Sequence, residues 1–182
     1  MNLVEPIKNQ SDIELIKNEL LSNCFRDYFL FVLGINTGMK ISDLLTLKFM
    51  HLIREEQIVS FIHIRNTKYP INDGLRMCII DYFNSLTHYS QDSYIFESRK
   101  GNEPIDRSHA YRIISDAAKK VGVNCNVGTQ TLRKTYGYHH FKKHQDIKYL
   151  QKIFNHNSRK KTFDYIGVEL AEIVKEDKEI YL

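Results

Sequence analysis

Tyr165 closes a polar stretch, FNHNSRKKTFDYIG at residues 154–167, in which His156 stands nine residues before it and Arg159, Lys160 and Lys161 lie between. A phenolic oxygen is a nucleophile, and attack on a phosphate ester is helped by fixed cations around the developing charge. The combination points to Tyr165 as a nucleophile aimed at a phosphate. A plainer reading stays open, a solvated loop followed by a helix whose aromatic side chains pack inward. Charge distribution favours the first. Arg133–Lys161 carries nine cations against one acid, Asp146, so this block is +8 and the rest of a chain of net charge +4 is −4. A basic block in an otherwise acidic chain is the footprint of phosphate-backbone binding, in which each neutralised phosphate releases counterions.

The elements that would hold these residues are mostly helical. SDIELIKNELL has Ser11 as a candidate N-cap and Glu14 three residues on, the pattern of a capping box. CFRDYFLFVLGINTG is apolar nearly all round and reads as a buried helix closed at Gly38. ISDLLTLKF reads as a short helix, and QIVSFIHIRNTKYPIN, rich in β-branched and aromatic residues, as two short strands around a tight turn. DGLRMCIIDYFNSL and DRSHAYRIISDAAKKVG are amphipathic helices, separated by a loop with Gly101 and Pro104. From Thr129 onward the pattern is of successive helices broken near 155–158 and again at Gly167. The expected class is therefore mainly α with a small antiparallel β-hairpin or sheet (α+β).

Composition bounds the remaining classes. A chain of 182 residues with 42% hydrophobic and 26% charged residues suits one domain with a real core, neither disordered nor fibrous. No apolar run approaches bilayer length, so no membrane partner is expected. Cys24, Cys78 and Cys125 are odd in number and widely spaced, which suggests inert thiols and neither a disulfide framework nor a zinc site. The N-terminus lacks a signal-peptide pattern, and the expected place is the cytoplasm.

Two blocks then resemble a family. GINTGMKISDLLTLKF is similar to a helix ending in TG, a catalytic arginine and I-S-E/D-L-L, and TQTLRKTYGYHH with LQKIFNHNSRKKTFDYIG is similar to the H-x-L-R-[HK]-T, L-G-H and terminal-tyrosine segments of the tyrosine recombinases, or phage integrases. The resemblance covers nearly the whole chain and implies the catalytic-domain fold of that family. It also implies cleavage of double-stranded DNA through a 3′-phosphotyrosyl link and a free 5′-hydroxyl, with no metal or nucleotide cofactor. Arg133 matches the second catalytic arginine, a planar fork suited to two phosphate oxygens. His156 matches the later histidine, which donates to the phosphate. Asp43 matches the acid supporting the first cation from one helical turn away. Lys68 in the hairpin is the candidate general acid for the leaving 5′-oxygen, with Arg65 as a poorer substitute because of its higher pKa. Lys134, Arg159, Lys160 and Lys161 are candidate DNA contacts, while His139 and His140 match no catalytic position and read as packing residues.

Two positions depart from the family. Its first arginine falls on Lys40, which keeps the charge and loses the fork, and its first histidine falls on Gln130, which can donate a hydrogen bond but cannot exchange a proton near neutral pH. Activity is therefore expected to be impaired, and the alternative is a degenerate relative that binds DNA or assists a recombinase without cutting. The pocket should gather Arg133, His156 and Lys40, with Tyr165 free to stand outside it on its polar segment. The chain is expected to be a single catalytic domain over 1–182, without the family's N-terminal core-binding domain. The resemblance further implies self-association on DNA, up to a tetramer, at a bacterial nucleoid; in the family a tail like that carrying Leu170, Ile173 and Val174 docks on a neighbouring subunit, and packing of this tail back on its own domain stays open.

Overall fold

The computed structural model describes residues 4–169, so Leu170, Ile173 and Val174 lie outside the described residues. The chain opens with α1 (Gln10–Asn23), α2 (Phe25–Thr37), α3 (Ile41–Leu45) and a 3-10 turn at Phe49–His51. Two hairpins follow, β1 (Ile53–Arg54) with β2 (Gln57–Ile58), and β3 (Phe61–Ile64) with β4 (Thr67–Pro70). Then come α4 (Asp73–Asn84), α5 (Arg107–Lys120), α6 (Thr129–His144), α7 (Ile147–Phe154) and α8 (Arg159–Ile166). The fold is mainly α with two small antiparallel sheets. Among the described residues no helix is long and apolar enough to cross a membrane.

Because α2 is apolar on every side, it can be surrounded. Phe29, Leu30, Phe31 and Leu33 are fully buried, and α1, α4 and α6 pack around them. Gly38 ends α2 at φ 63°, a left-handed conformation in which a side chain is strained. A Cβ there would also lie 2.3 Å from the Tyr136 ring. Glycine thus lets the turn that carries Lys40 settle onto α6, which carries Arg133.

Helices α6, α7 and α8 enclose a second, smaller core of Phe141, Ile147, Leu150, Phe154, Ile166 and Val168. Gly137 on α6 faces it, and a Cβ there would lie 2.5 Å from Ile166 Cγ2 and 2.8 Å from Phe154 Cε2. The missing side chain is what allows α8 to sit close against α6, with Tyr165 next to the buried Ile166.

Several local expectations are corrected. The N-cap of the first helix is Asn9, not Ser11: the side chain of Asn9 accepts from Ser11 N at 3.1 Å, and the helix already begins at Gln10. The ISDLLTLKF helix stops at Leu45, and Lys48 instead forms a β-bridge with Tyr94 in the loop before α5. The strand region holds two hairpins where one was expected. The extra one turns at Glu55 and Glu56, both at positive φ (51° and 62°), a conformation that glutamate seldom adopts, so the sequence carries no turn signal there. A further break separates α6 from α7 at Gln145, which is left-handed at φ 54°.

Candidate active site

Four distant stretches of chain line one hollow of about 330 Å³. Lys40, Ile41 and Ser42 come from the start of α3, Arg107 from the first residue of α5, Thr129, Gln130 and Arg133 from α6, and Phe154, His156 and Tyr165 from the end of α7, the turn after it and α8. Three of these residues are cations and none is an acid, so the hollow is built for an anion.

Arg133 reaches it from within the fold, at only 6% exposure. Its Nη1 donates to the Gly38 carbonyl, and its Nη2 donates to the Ile153 carbonyl at 3.1 Å. The guanidinium lies over the Phe154 ring, 4.5 Å from the centroid. Both ends of the site are thereby tied to one side chain: the α2–α3 turn through Gly38, and the end of α7 through Ile153. Of about five N–H donors on a guanidinium, two are spent on carbonyls and a further one interacts with the Tyr165 hydroxyl, which leaves the remainder for an oxyanion.

Tyr165 lies in the hollow, and the outside position that its polar segment left open is not taken. Its ring meets the edge of His156 (centroids 5.1 Å apart, 74°) and of Phe154 (5.4 Å, 63°). Burial raises the phenol above its ordinary pKa of 10, while Arg133 opposes the rise through its charge and hydrogen bonding. At neutral pH the group is a phenol with a cation close by.

His156 is oriented by Thr162. The ring Nδ1 lies 3.1 Å from Thr162 Oγ1, and that hydroxyl, fully buried, donates to the Ser158 carbonyl at 3.2 Å. With the Thr162 proton directed to the Ser158 carbonyl, the hydroxyl accepts from the ring, and the neutral imidazole then carries its proton on Nδ1 and presents Nε2 unprotonated. Burial lowers the His156 pKa below the ordinary 6.5, and the nearby Lys161 and Arg133 charges lower it further.

Other expected residues lie elsewhere. Lys68 sits on β4 opposite His63, one residue past the start of the strand, and lines a separate hollow with Asn66, Thr67, Tyr149, Lys152 and Ile153. The turn itself is occupied by Arg65, at φ 51°. Asp43, 7% exposed, pairs with Arg65 Nη2 at 3.4 Å and not with Lys40, whose side chain has no partner among the described residues. Lys134 does not line this hollow but a separate one, with Glu5, Lys8 and Asp164. It is buried at 6% exposure, points away from the hollow with Nζ 5.1 Å from the Tyr165 ring centroid, and has its pKa lowered by burial, against the pull of Glu5.

Arg159, Lys160 and Lys161 are exposed on the first turn of α8 behind the N-cap Ser158. Cations at a helix N-terminus oppose the helix dipole, at about 0.3–1 kcal/mol each. His139 hydrogen-bonds the Ile7 carbonyl at 2.9 Å, and His140 stacks on Tyr149 at 4.8 Å. Sequence reasoning missed Arg107 and Thr162. Neither carries a local signal: one is a charge at a helix start, the other a threonine whose partner is six residues away. Among the described residues no cluster of three or more His, Cys, Asp or Glu could hold a metal ion.

The model of the phage integrase family matches residues 9–171. A probable integrase/recombinase, YoeC of Bacillus subtilis (strain 168), is 36% identical over 171 residues, spanning 93% of this chain and 92% of that protein. The crystal structure of XerA recombinase superposes with a TM-score of 0.78 at 21% identity, over 99% of this chain and 65% of that one. A lambda integrase dimer bound to a COC′ core site superposes with a TM-score of 0.69 at 16% identity, over 93% of this chain and 62% of that one. The chain thus spans somewhat less than two thirds of these two solved structures.

Proposed function

Because the chain belongs to the phage integrase family, we propose that it breaks and rejoins double-stranded DNA, with Tyr165 as the attacking residue. Tyr165 Oη bonds to a backbone phosphorus, the bond from phosphorus to the 5′-oxygen breaks, and a 3′-phosphotyrosyl link and a 5′-hydroxyl result. The energy of the broken bond is kept in the link, so a 5′-hydroxyl from another strand can reverse the step and reseal the DNA.

The observation that carries this reading is the convergence of Tyr165, Arg133, His156, Lys40 and Gln130, from distant parts of the chain, on one cationic hollow. Arg133 contributes its remaining N–H donors to the nonbridging oxygens, where charge grows in the transition state. Lys40 adds a point charge and Gln130 a neutral donor. The phenol proton has to leave as attack proceeds. Gln130 cannot take it, whereas the bare Nε2 of a neutral His156 can, after which the imidazolium donates to the phosphate.

The leaving 5′-oxygen needs a proton, and Lys68 supplies it when the β3–β4 hairpin turns toward bound DNA. That movement breaks the Arg65–Asp43 pair, a small cost for a contact with Arg65 79% exposed. Arg159, Lys160 and Lys161, placed against the dipole of α8, bind the flanking backbone. Exchange between two duplexes cuts four strands with one tyrosine each, so the working assembly on DNA is a tetramer.

Incubation with a pool of nicked duplexes of randomised sequence tests this. An SDS-resistant protein–DNA adduct is expected, together with binding that weakens steeply as salt rises. Salt-sensitive binding without any adduct would move the reading to a DNA-binding relative that does not cut. A flat salt response would remove DNA as the partner.

A further inference from the structure

We propose that Arg107 is a further ligand of the scissile phosphate, supplying the two-pronged contact that Lys40 cannot make. The inference rests on the DNA-cleaving reading above and adds to it a residue outside the family's matched motifs. Arg107 lines the same hollow as Lys40, Gln130, Arg133, His156 and Tyr165. Its guanidinium has no hydrogen-bond, ion-pair or ring partner among the described residues, and the residue is exposed. Of the two guanidinium groups in the hollow it is the uncommitted one, since Arg133 spends two donors on the Gly38 and Ile153 carbonyls.

Its position is also costly in the absence of an anion. Arg107 is the first residue of the 14-residue helix α5, where the dipole disfavours a cation, and no acid occupies that first turn. The neighbouring Asp106 is the N-cap, and its carboxylate accepts from His109 N at 2.7 Å. A phosphate in the hollow would meet Arg107 and Lys40 together with Arg133 and His156. A planar fork holds two oxygens at once, whereas an ammonium acts as a point charge. The site thereby regains from α5 the geometry it lacks at Lys40.

The test pairs Arg107→Gln with Arg107→Lys and reads two quantities on the folded full chain. At saturating nicked DNA, Arg107→Gln should slow adduct formation by about 10² to 10³, the usual loss for one transition-state donor. Arg107→Lys should recover only part of that rate, while DNA affinity falls far less than rate in both. Orthovanadate, a phosphate mimic that needs no DNA site, should bind the wild type and bind Arg107→Gln more weakly, as followed by the His156 ring resonances. Wild-type adduct rate and wild-type vanadate affinity in Arg107→Gln would overturn the proposal. If the wild type forms no adduct but loses vanadate binding with Arg107, the anion site stands and the cleavage reading falls. Equal vanadate binding by both proteins would in that case overturn the proposal as well.

Discussion

Gly137→Ala adds one methyl group where α8 lies closest to α6, and it separates stability from catalytic geometry. The new Cβ would lie 2.5 Å from Ile166 Cγ2, 2.8 Å from Phe154 Cε2 and 2.9 Å from Phe154 Cζ. Unstrained carbon contacts need about 3.5–4.0 Å, so α8 and the end of α7 must withdraw by roughly 1 Å. Overpacking of this kind costs about 1–3 kcal/mol. Alanine in a helix interior recovers about 1 kcal/mol relative to glycine. The net loss in urea unfolding should therefore be small, about 0–2 kcal/mol, and the protein should stay folded. Catalysis should suffer more, because the segments that move carry Tyr165 and His156, and a misplacement of about 1 Å costs on the order of 10² in rate. Single-turnover adduct formation on nicked DNA measures this. A variant that gains stability and cleaves at the wild-type rate would refute the reasoning, since it would mean that the close approach does not set the position of Tyr165.

Other outcomes follow from the same site. Lys40→Arg together with Gln130→His should raise the adduct rate, by up to about 10² to 10³ for each restored donor, and less than additively because both contact one phosphate. His156 should titrate below 6.5 in the free protein and move up when DNA phosphate binds, with its proton on Nδ1 while neutral; NMR of the ring nitrogens checks both, and an unmoved pKa would place His156 away from the phosphate. The same shift has a consequence for folding. The folded pKa lies below the unfolded value, so the unfolded chain takes up the proton first. The contribution of His156 to stability is complete above pH 6.5 and declines as pH falls through its lowered folded value, and His156→Asn should flatten that part of the pH profile.

The sequence revealed Tyr165, Arg133 and His156 as candidates because they sit in compact blocks with fixed spacing, and it revealed α2 because its apolar residues leave no polar face. What it hid depended on contacts between distant segments. Lys134 adjoins Arg133 in sequence, yet the helical rotation between them sends one into the hollow and the other beneath the Tyr165 ring. Asp43 lies one turn from Lys40, but the hairpin brings Arg65 to it first. Lys68 could be placed on a hairpin from composition, while its distance from Arg133 depends on where that hairpin rests. The β1–β2 hairpin escaped notice because Glu55 and Glu56 take a backbone conformation usually left to glycine and asparagine.

The central claim is that Tyr165 itself forms the link to DNA, and mapping the adduct tests it most directly. After nuclease and protease digestion of the SDS-resistant complex, the peptide bearing the nucleotide should be the one containing Tyr165. Tyr165→Phe should bind DNA with wild-type affinity and yield no complex, since it removes one oxygen and keeps the ring contacts with His156, Phe154 and Lys134. Attachment at another residue, or an undiminished complex in the phenylalanine variant, would contradict the account.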